Sequence, residues 1–182
     1  MAPKFREPPA AHRQRGTTEG FLRPWRERPP ETAFLHNPAF CGEICRRAIH
    51  AHARRGRGSF PLPLLYLVLP LVLDRRIRDK IRENTRQKMH AWLQDHPELR
   101  VGFADHVRAS SPTSMEALSY LFCTGAARVD ESGIVLSGYA PAPLSKREDD
   151  VAHIFRKSTV VGRWFADSGT PESVYMMWGI RP

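Results

Sequence analysis

The longest apolar stretch of the chain lies at residues 60–73 and gives way at once to a basic segment. It reads FPLPLLYLVLPLVL, and the segment after it reads DRRIRDKIR. As a helix, residues 61–73 would be about 20 Å long, which is short of the roughly 30 Å hydrocarbon core of a membrane. They also include three prolines. We therefore interpret the stretch as a buried core helix, broken or kinked near Pro70, and not as a membrane span.

A helix is predicted upstream of this stretch, from Asn37 to a point before Gly56. Asn37 can cap the helix, and Pro38 suits its first position. Apolar residues then recur at helical spacing, namely Ala39, Phe40, Ile44, Ala48 and Ile49.

The basic segment after the apolar stretch also has an apolar stripe. Residues 74–94 place apolar side chains on one side and arginines on the others, which predicts an amphipathic helix or a pair of helices. The stripe consists of Ile77, Ile81, Met89, Trp92 and Leu93. His96-Pro97 ends this element.

A helix followed by a hairpin is predicted between residues 111 and 136. Ser111-Pro112-Thr113-Ser114 marks the start of the helix, with Thr113 or Ser114 as its cap, and Gly125 marks its end. Residues 127–129 and 134–136 are β-prone and flank a turn at 130–133, which is a hairpin pattern. Helix then hairpin is the order found in the second half of a winged helix.

The two ends of the chain supply the remaining elements from which we predict the fold class. Val151 to Phe165 predicts a final amphipathic helix, and Val174 to Ile180 predicts a C-terminal strand. Residues 1–33 are rich in Pro and Arg and lack a periodic apolar face, so we expect a flexible tail there. Residues 34–182 are expected to form a single globular domain. The expected fold is α+β and mostly helical: a winged-helix-like domain with a small β-hairpin and a C-terminal strand.

Charge narrows the classes of partner. The 182 residues carry a formal net charge of +9, which attracts polyanions but says nothing about fold. Arg-rich composition and the helix dipole are the alternative explanations for part of this excess. Two basic groups flank the apolar stretch, and their side chains are candidate contacts to nucleic-acid phosphates or to an acidic protein surface: Arg46, Arg47, Arg54, Arg55, Arg57, Arg75, Arg76, Arg78, Lys80, Arg82 and Arg86.

The C-terminal segment offers a candidate protein interface. In a strand, neighbouring side chains face opposite sides, so its bulky residues cannot all face one core. Tyr, Trp and Met are also enriched at interfaces, which makes Tyr175, Met177 and Trp178 candidates for contact with a partner. The alternative is a central strand that the domain itself buries on both faces.

No residue pattern indicates catalysis. The chain has no Gly-x-Ser-x-Gly, Walker loop or zinc-protease helix, so we expect a non-enzymatic protein without a cofactor. Its three cysteines do not form a disulfide framework, which fits a reducing cytoplasm. Cys41 and Cys45 lie four residues apart, which is not a recognised zinc spacing, and no metal site is expected.

Several phrases occur together in an order that resembles one protein family. They are Asn37-Pro38-Ala39-Phe40, the residues PLPLLYLVLP at 61–70, Trp92-Leu93, Phe103-Ala104, Glu116-Ala117-Leu118, Gly162-Arg163-Trp164-Phe165-Ala166 and Trp178-Gly179-Ile180-Arg181-Pro182. From about Phe34 to Pro182 the chain resembles the middle component of bacterial three-component ABC systems. Lamassu is an example of these anti-phage and anti-plasmid defence systems.

This resemblance implies a winged-helix-like fold and an adaptor without catalytic residues. Such middle components sit between a long coiled-coil ATPase, similar to SMC and Rad50 proteins, and a variable effector subunit. We expect the same partners here, together with sequence-independent contact to double-stranded DNA through the basic groups. The alternative is a stand-alone winged-helix DNA-binding regulator. Residues 115–124 contain no Arg, Lys, Asn or Gln, the types that do most base readout, which disfavours that alternative.

Overall fold

In a computed structural model of the chain, the described residues are 27–29, 35–56, 58–83, 86–144 and 149–180. The helices are α1 (Pro38–Ala53), α2 (Leu62–Leu73), α3 (Arg75–Arg78), α4 (Met89–Asp95), α5 (Phe103–Cys123), α6 (Asp150–Asp167) and α7 (Pro171–Met177). A 3-10 turn spans Pro97–Arg100, and an antiparallel hairpin pairs β1 (Ala127–Asp130) with β2 (Gly133–Leu136). The predicted mostly helical α+β class is confirmed.

Helix α1 begins as predicted and packs on three sides. The Asn37 side chain accepts hydrogen bonds from the amides of Ala39 and Phe40, and Pro38 occupies the first turn. The helix packs against α6, α5 and α2. At its crossing with α6, a Cβ on Gly162 would lie 2.1 Å from the carbonyl oxygen of Ala48. The two backbones therefore touch, and only glycine fits there.

The apolar stretch forms α2, and its interpretation as core is confirmed. Leu64, Leu67 and Val68 are fully or almost fully buried, as expected for a helix with little polar surface. The predicted break near Pro70 is wrong, because the helix continues through Pro70 and ends at Leu73. Within the described ranges, no helix combines the length and the apolarity needed to cross a membrane.

The basic segment after α2 is helical only at its two ends. We expected a helix or a pair of helices over 74–94, but among the described residues of this segment, 74–83 and 86–94, the helices are α3, a single turn, and α4. Between them the backbone bonds to α6 instead. Lys157 Nζ donates to the carbonyl of Ile81, and Trp164 Nε1 donates to the carbonyl of Gln87 at 2.9 Å. These tertiary bonds replace the bonds that a helix would have made.

Helix α5 starts earlier than predicted. It begins at Phe103, directly after Gly102 with φ at +72°, and runs through Pro112 to Cys123. A cap at Thr113 or Ser114 was therefore wrong. Proline lacks the N–H that would bond one turn back. The helix therefore lacks the bond from residue 112 to the carbonyl of Arg108, and in the turn before it the Ser111 hydroxyl donates to the carbonyl of Val107 at 2.9 Å.

The hairpin forms where it was predicted. Asp130 at the turn accepts hydrogen bonds from the amides of Ser132 and Gly133 at 2.8 and 3.0 Å. Phe60 adds a bridge on the other side of β2, bonding to Ile134 in both directions at 2.9 and 2.8 Å. Helix followed by hairpin is thus the observed order, while the winged-helix assignment stays a prediction.

The predicted C-terminal strand is wrong, because residues 171–177 form helix α7. The Thr170 hydroxyl caps it by accepting from the Ser173 amide, and Pro171 occupies the first turn. In a helix, Val174 and Trp178 are four residues apart and face the same side. Both are buried. A helix can therefore direct its bulky residues to one core, whereas a strand would have turned neighbouring side chains to opposite faces.

The predicted flexible tail, residues 1–33, lies outside the described residues except for 27–29. In that short piece, Arg28 forms an ion pair with Glu116 of α5, with Nη2 2.5 Å from Oε1. Arg57 of the first basic group also lies outside the described ranges.

Candidate anion-binding surface

Helix α6 carries a row of basic side chains that hold the basic segment against it. The carboxylate oxygens of Glu83 lie 2.8 Å from Arg156 Nε, 3.5 Å from Lys157 Nζ and 3.7 Å from His153 Nε2. Burial by itself would raise the pKa of Glu83, but the hydrogen bond from Arg156 and the charge of Lys157 keep that pKa below its ordinary value. Glu83 is therefore a charged anchor for this segment.

Arg163 connects the two basic groups that the sequence separates. Its guanidinium donates to the carbonyl of Glu83 at 3.0 Å, and it also lines a cleft with Arg54 and Arg55 at the C-terminal end of α1. Arg82 is exposed directly before Glu83. Arg54, Arg55, Arg82, Arg86 and Arg163 together are called the basic surface.

Three members of the basic surface have no neutralising neighbour among the described residues. Arg54, Arg82 and Arg86 are exposed, and each forms no ion pair with any residue in the described ranges. The charge of Arg55 is partly neutralised, because its Nη2 lies 3.8 Å from the carboxylate of Asp167. The net charge of this surface is therefore strongly positive, as a site for phosphate groups requires.

Two arginines of the first basic group contact other parts of the chain and are not free to bind an anion. Arg47 is 5% exposed. It bonds Glu43 at 2.7 Å and the carbonyl of Ala142 at 3.3 Å. The Arg46 guanidinium lies 4.0 Å from the centre of the Tyr139 ring, a cation–π contact. These contacts tie α1 to the segment after the hairpin, so we assign Arg46 and Arg47 to packing.

The second basic group is largely neutralised by its own neighbours. Three of its cations pair with nearby acids: Arg75 with Asp79 at 3.3 Å, Arg76 with Asp74 at 2.8 Å and Lys80 with Glu98 at 2.6 Å. Such exposed pairs add little stability, but they reduce the charge that this part of the surface presents to an anion.

Arg78 of the same group is buried at the end of α2. One guanidinium nitrogen donates to the carbonyl of Val72 at 3.2 Å, and the other donates to Asp150 at 3.0 Å. Arg78 thus satisfies a helix-end carbonyl and joins α2 to the first residue of α6. Its neighbours in sequence gave no sign of this role.

The basic residues of α6 were missed by the sequence reasoning. It predicted an amphipathic helix here but assigned no binding role to His153, Arg156, Lys157 or Arg163. Their spacing offered a usable signal, because residues three and four apart share a face. Their importance follows only from the basic segment that lies against them.

The three candidate interface residues near the C-terminus differ in how accessible they are. Trp178 is buried within its own chain, with its ring 4.0 Å from that of Phe103, so it is not available to a partner. Tyr175 is half-buried and its hydroxyl donates to the carbonyl of Pro63 at 2.8 Å. Met177 is also half-buried, whereas Met176 is 69% exposed.

An apolar surface surrounds Tyr175. The Tyr66 hydroxyl lies 2.8 Å from the Met115 sulfur, and the Tyr175 hydroxyl bonds Pro63, three residues before Tyr66. Burial and the nearby Tyr66 phenol raise the pKa of Tyr175. Met115 is 49% exposed and Leu62 is 38% exposed. Leu62, Tyr66, Met115 and Tyr175 together are called the apolar surface. They come from α2, α5 and α7, whereas the basic surface comes from α1, α6 and the segment beside α6.

The cysteine pair on α1 is part of the core. Cys41 and Cys45 are fully buried, and burial raises the pKa of the Cys41 thiol to about 12 and raises that of Cys45 as well. Both are therefore protonated thiols that pack as small apolar groups. Across the described ranges, no three His, Cys, Asp or Glu residues are arranged to hold a metal ion.

Comparison with known proteins identifies a family. The family model described as "ABC-three component (ABC-3C) system Middle Component 3" matches residues 25–182. No curated protein and no solved structure matches the chain. The matched range contains both surfaces and begins before the first described residue.

Proposed function

Because the chain belongs to the middle component 3 family of ABC-three component systems, we propose that it is a non-catalytic adaptor in such a system. In this role it joins a coiled-coil, SMC-like ATPase to an effector subunit in an anti-phage or anti-plasmid complex. The family match carries the proposal. Two chemically different surfaces on different elements support it, because an adaptor must hold more than one partner.

The apolar surface suits a protein subunit of the complex. Tyr and Met are enriched at protein interfaces, and partly exposed aromatic and thioether side chains are adaptable contacts. The basic surface suits DNA. Arginines at the surface contact phosphates without reading sequence, and the exposed guanidiniums of Arg54, Arg82 and Arg86 are not used elsewhere in the described residues.

Met115→Glu is expected to abolish or strongly reduce co-purification of the full-length chain with the ATPase of the same system. The new carboxylate would be buried without a partner in an interface centred on Met115. The variant should fold normally, since an exposed helical position tolerates Glu. The measurement is pull-down of the co-expressed subunits with quantified band ratios.

Val101→Glu is the matched control for this experiment. Val101 is 79% exposed and lies outside the apolar surface, so its replacement should leave the subunit ratio unchanged. Full assembly with Met115→Glu would exclude the apolar surface as the contact. A complex of ATPase and effector that assembles and defends without this chain would refute the adaptor role itself.

Binding of duplex DNA is expected to be independent of sequence and steeply dependent on salt. Each phosphate contact contributes roughly 0.9 to the slope of log affinity against log salt. Arg82→Gln and Arg86→Gln should therefore each lower the slope by about 0.9, while Arg108→Gln, at an exposed arginine paired with Asp105, should not. Fluorescence anisotropy on two unrelated duplexes over a salt series measures the slopes.

A strong preference for one duplex, unchanged by these substitutions, would favour the DNA-binding regulator instead. Arg78 is unsuited to this test even though it belongs to the same sequence group. Its guanidinium bonds the end of α2, so its replacement would change folding stability together with any binding.

A further inference from the structure

A cationic cleft of about 390 Å³ lies between α1 and α6, within the basic surface. Arg54, Arg55 and Arg163 line it, and Arg47, which already pairs with Glu43, lies at its buried side. Burial and the positive charge of Arg55 lower the pKa of Arg163. Three like charges, one of them partly buried, therefore lie around one cleft, and an anion bound there would reduce their mutual repulsion.

The chain's own acids compensate these charges only in part. Asp167 lies 3.8 Å from Arg55, and Glu43 lies 2.7 Å from Arg47. The dipole of α1 favours cations at its last turn, which accounts for Arg54 and Arg55. It does not account for Arg163, which comes from the other helix. The excess of two guanidiniums over carboxylates matches the charge of a phosphate monoester near neutral pH.

A second cleft, also of about 390 Å³, adjoins the first. One residue, His50, lines both. The second cleft is walled mainly by apolar side chains of α1 and β2, including Ile49, Ala53, Ile134 and Leu136, and Tyr139 stands at its edge. Each cleft falls within the size range of small-molecule sites, which combine apolar walls with a few polar groups.

We propose that the two clefts together bind a nucleotide, with its phosphate in the cationic cleft and its base in the apolar one. A nucleotide has this division between a dianionic group and a flat aromatic ring whose two faces pack against apolar side chains. The proposal deepens the anion-binding part of the proposed function and is independent of the adaptor role. The nucleotide is either free or the end of a nucleic-acid strand, and the chemistry at the cleft is the same.

Calorimetric titration of the full-length chain tests whether the ligand must carry both a phosphate and a base. The probes are adenosine monophosphate, adenosine and inorganic phosphate. The monophosphate is expected to bind about tenfold or more tightly than either half alone, because charge-assisted hydrogen bonds and apolar burial both contribute. Equal affinity for the monophosphate and adenosine would overturn the phosphate site. Equal affinity for the monophosphate and inorganic phosphate would overturn the base site.

Substitutions test the position of the phosphate. Arg54→Gln and Arg163→Gln should each weaken monophosphate binding about tenfold or more, since each removes a charged donor. Arg54 is exposed, so its variant remains informative if Arg163→Gln, which also loses the bond to Glu83, fails to fold. Arg75→Gln is the matched control, because Arg75 is exposed but lines neither cleft. Wild-type affinity in Arg54→Gln would overturn the assignment.

A 5′-phosphorylated single-stranded hexanucleotide identifies the source of the nucleotide. If the monophosphate displaces it, and Arg54→Gln weakens both, the site takes a single nucleotide from either source. If only the hexanucleotide binds, and Arg54→Gln but not Arg75→Gln weakens it, the site takes the end of a strand. If Arg54→Gln and Arg75→Gln weaken it equally, the cleft is not a site. That last result would leave the broader DNA contact of the proposed function intact.

Discussion

Gly162→Ala is expected to lower the free energy of unfolding by about 2 kcal/mol or more. The added Cβ would lie 2.1 Å from the carbonyl oxygen of Ala48 and 2.8 Å from its carbonyl carbon. No side-chain rotation can relieve a clash with backbone, so α1 and α6 must separate. Overpacking of this kind costs roughly 1–3 kcal/mol and sometimes more. A backbone contact of 2.1 Å places the cost at or above the upper end of that range. The better helix propensity of alanine returns about 1 kcal/mol, which leaves a net loss of about 2 kcal/mol or more.

Gly42→Ala is the matched control on α1. Its Cβ would meet side-chain atoms of Leu121 and Tyr120, each at 3.2 Å, and these atoms can move by a few tenths of an ångström. Together with the gain in helix propensity, this predicts a change within about 1 kcal/mol of the wild type. Urea unfolding followed by circular dichroism gives both values. Equal stabilities of the two variants would show that the helices do not cross as closely as described.

Leu67→Ala is expected to lower the free energy of unfolding by about 2–5 kcal/mol. The side chain is fully buried in the middle of α2, and its truncation removes apolar contacts and leaves a cavity. Leu67→Asp should prevent folding, because an unpaired carboxylate in the core costs more than a cavity.

Leu62→Ala provides the control in the same helix. Leu62 is 38% exposed at the first turn of α2, so its truncation should cost less than about 1 kcal/mol. Thermal unfolding and size-exclusion chromatography compare the three variants. A folded, monodisperse Leu67→Asp protein would contradict the assignment of residues 60–73 to the core.

The sequence was sufficient wherever neighbouring residues decide the structure. Asn37 and Pro38 set the start of α1, and the turn at 130–133 set the hairpin. The apolar run at 60–73 could only be buried, and the stripe at 151–165 could only be amphipathic. In each case capping, turn chemistry and periodicity point to the same element.

Local reasoning was insufficient where contacts distant in sequence outweighed propensity. Residues 79–88 have a helical apolar pattern, but α6 supplies hydrogen bonds to their carbonyls from Lys157 and Trp164. The β-prone segment at 174–180 is a helix up to Met177, because i and i+4 spacing buries Val174 and Trp178 together. Differences in propensity are below about 1 kcal/mol per residue, and tertiary bonds and burial exceed them.

The basic surface shows most clearly the difference between what the sequence determines and what the tertiary structure decides. The sequence alone determined that this protein has excess positive charge on both sides of a buried helix. Only the tertiary structure decided that Arg47 and Arg78 are internal, that Arg54 and Arg82 are exposed, and that Arg163 joins them. The physical reason is that a charge is available to a ligand only if no neighbour in space already uses it, and neighbours in space are set by packing.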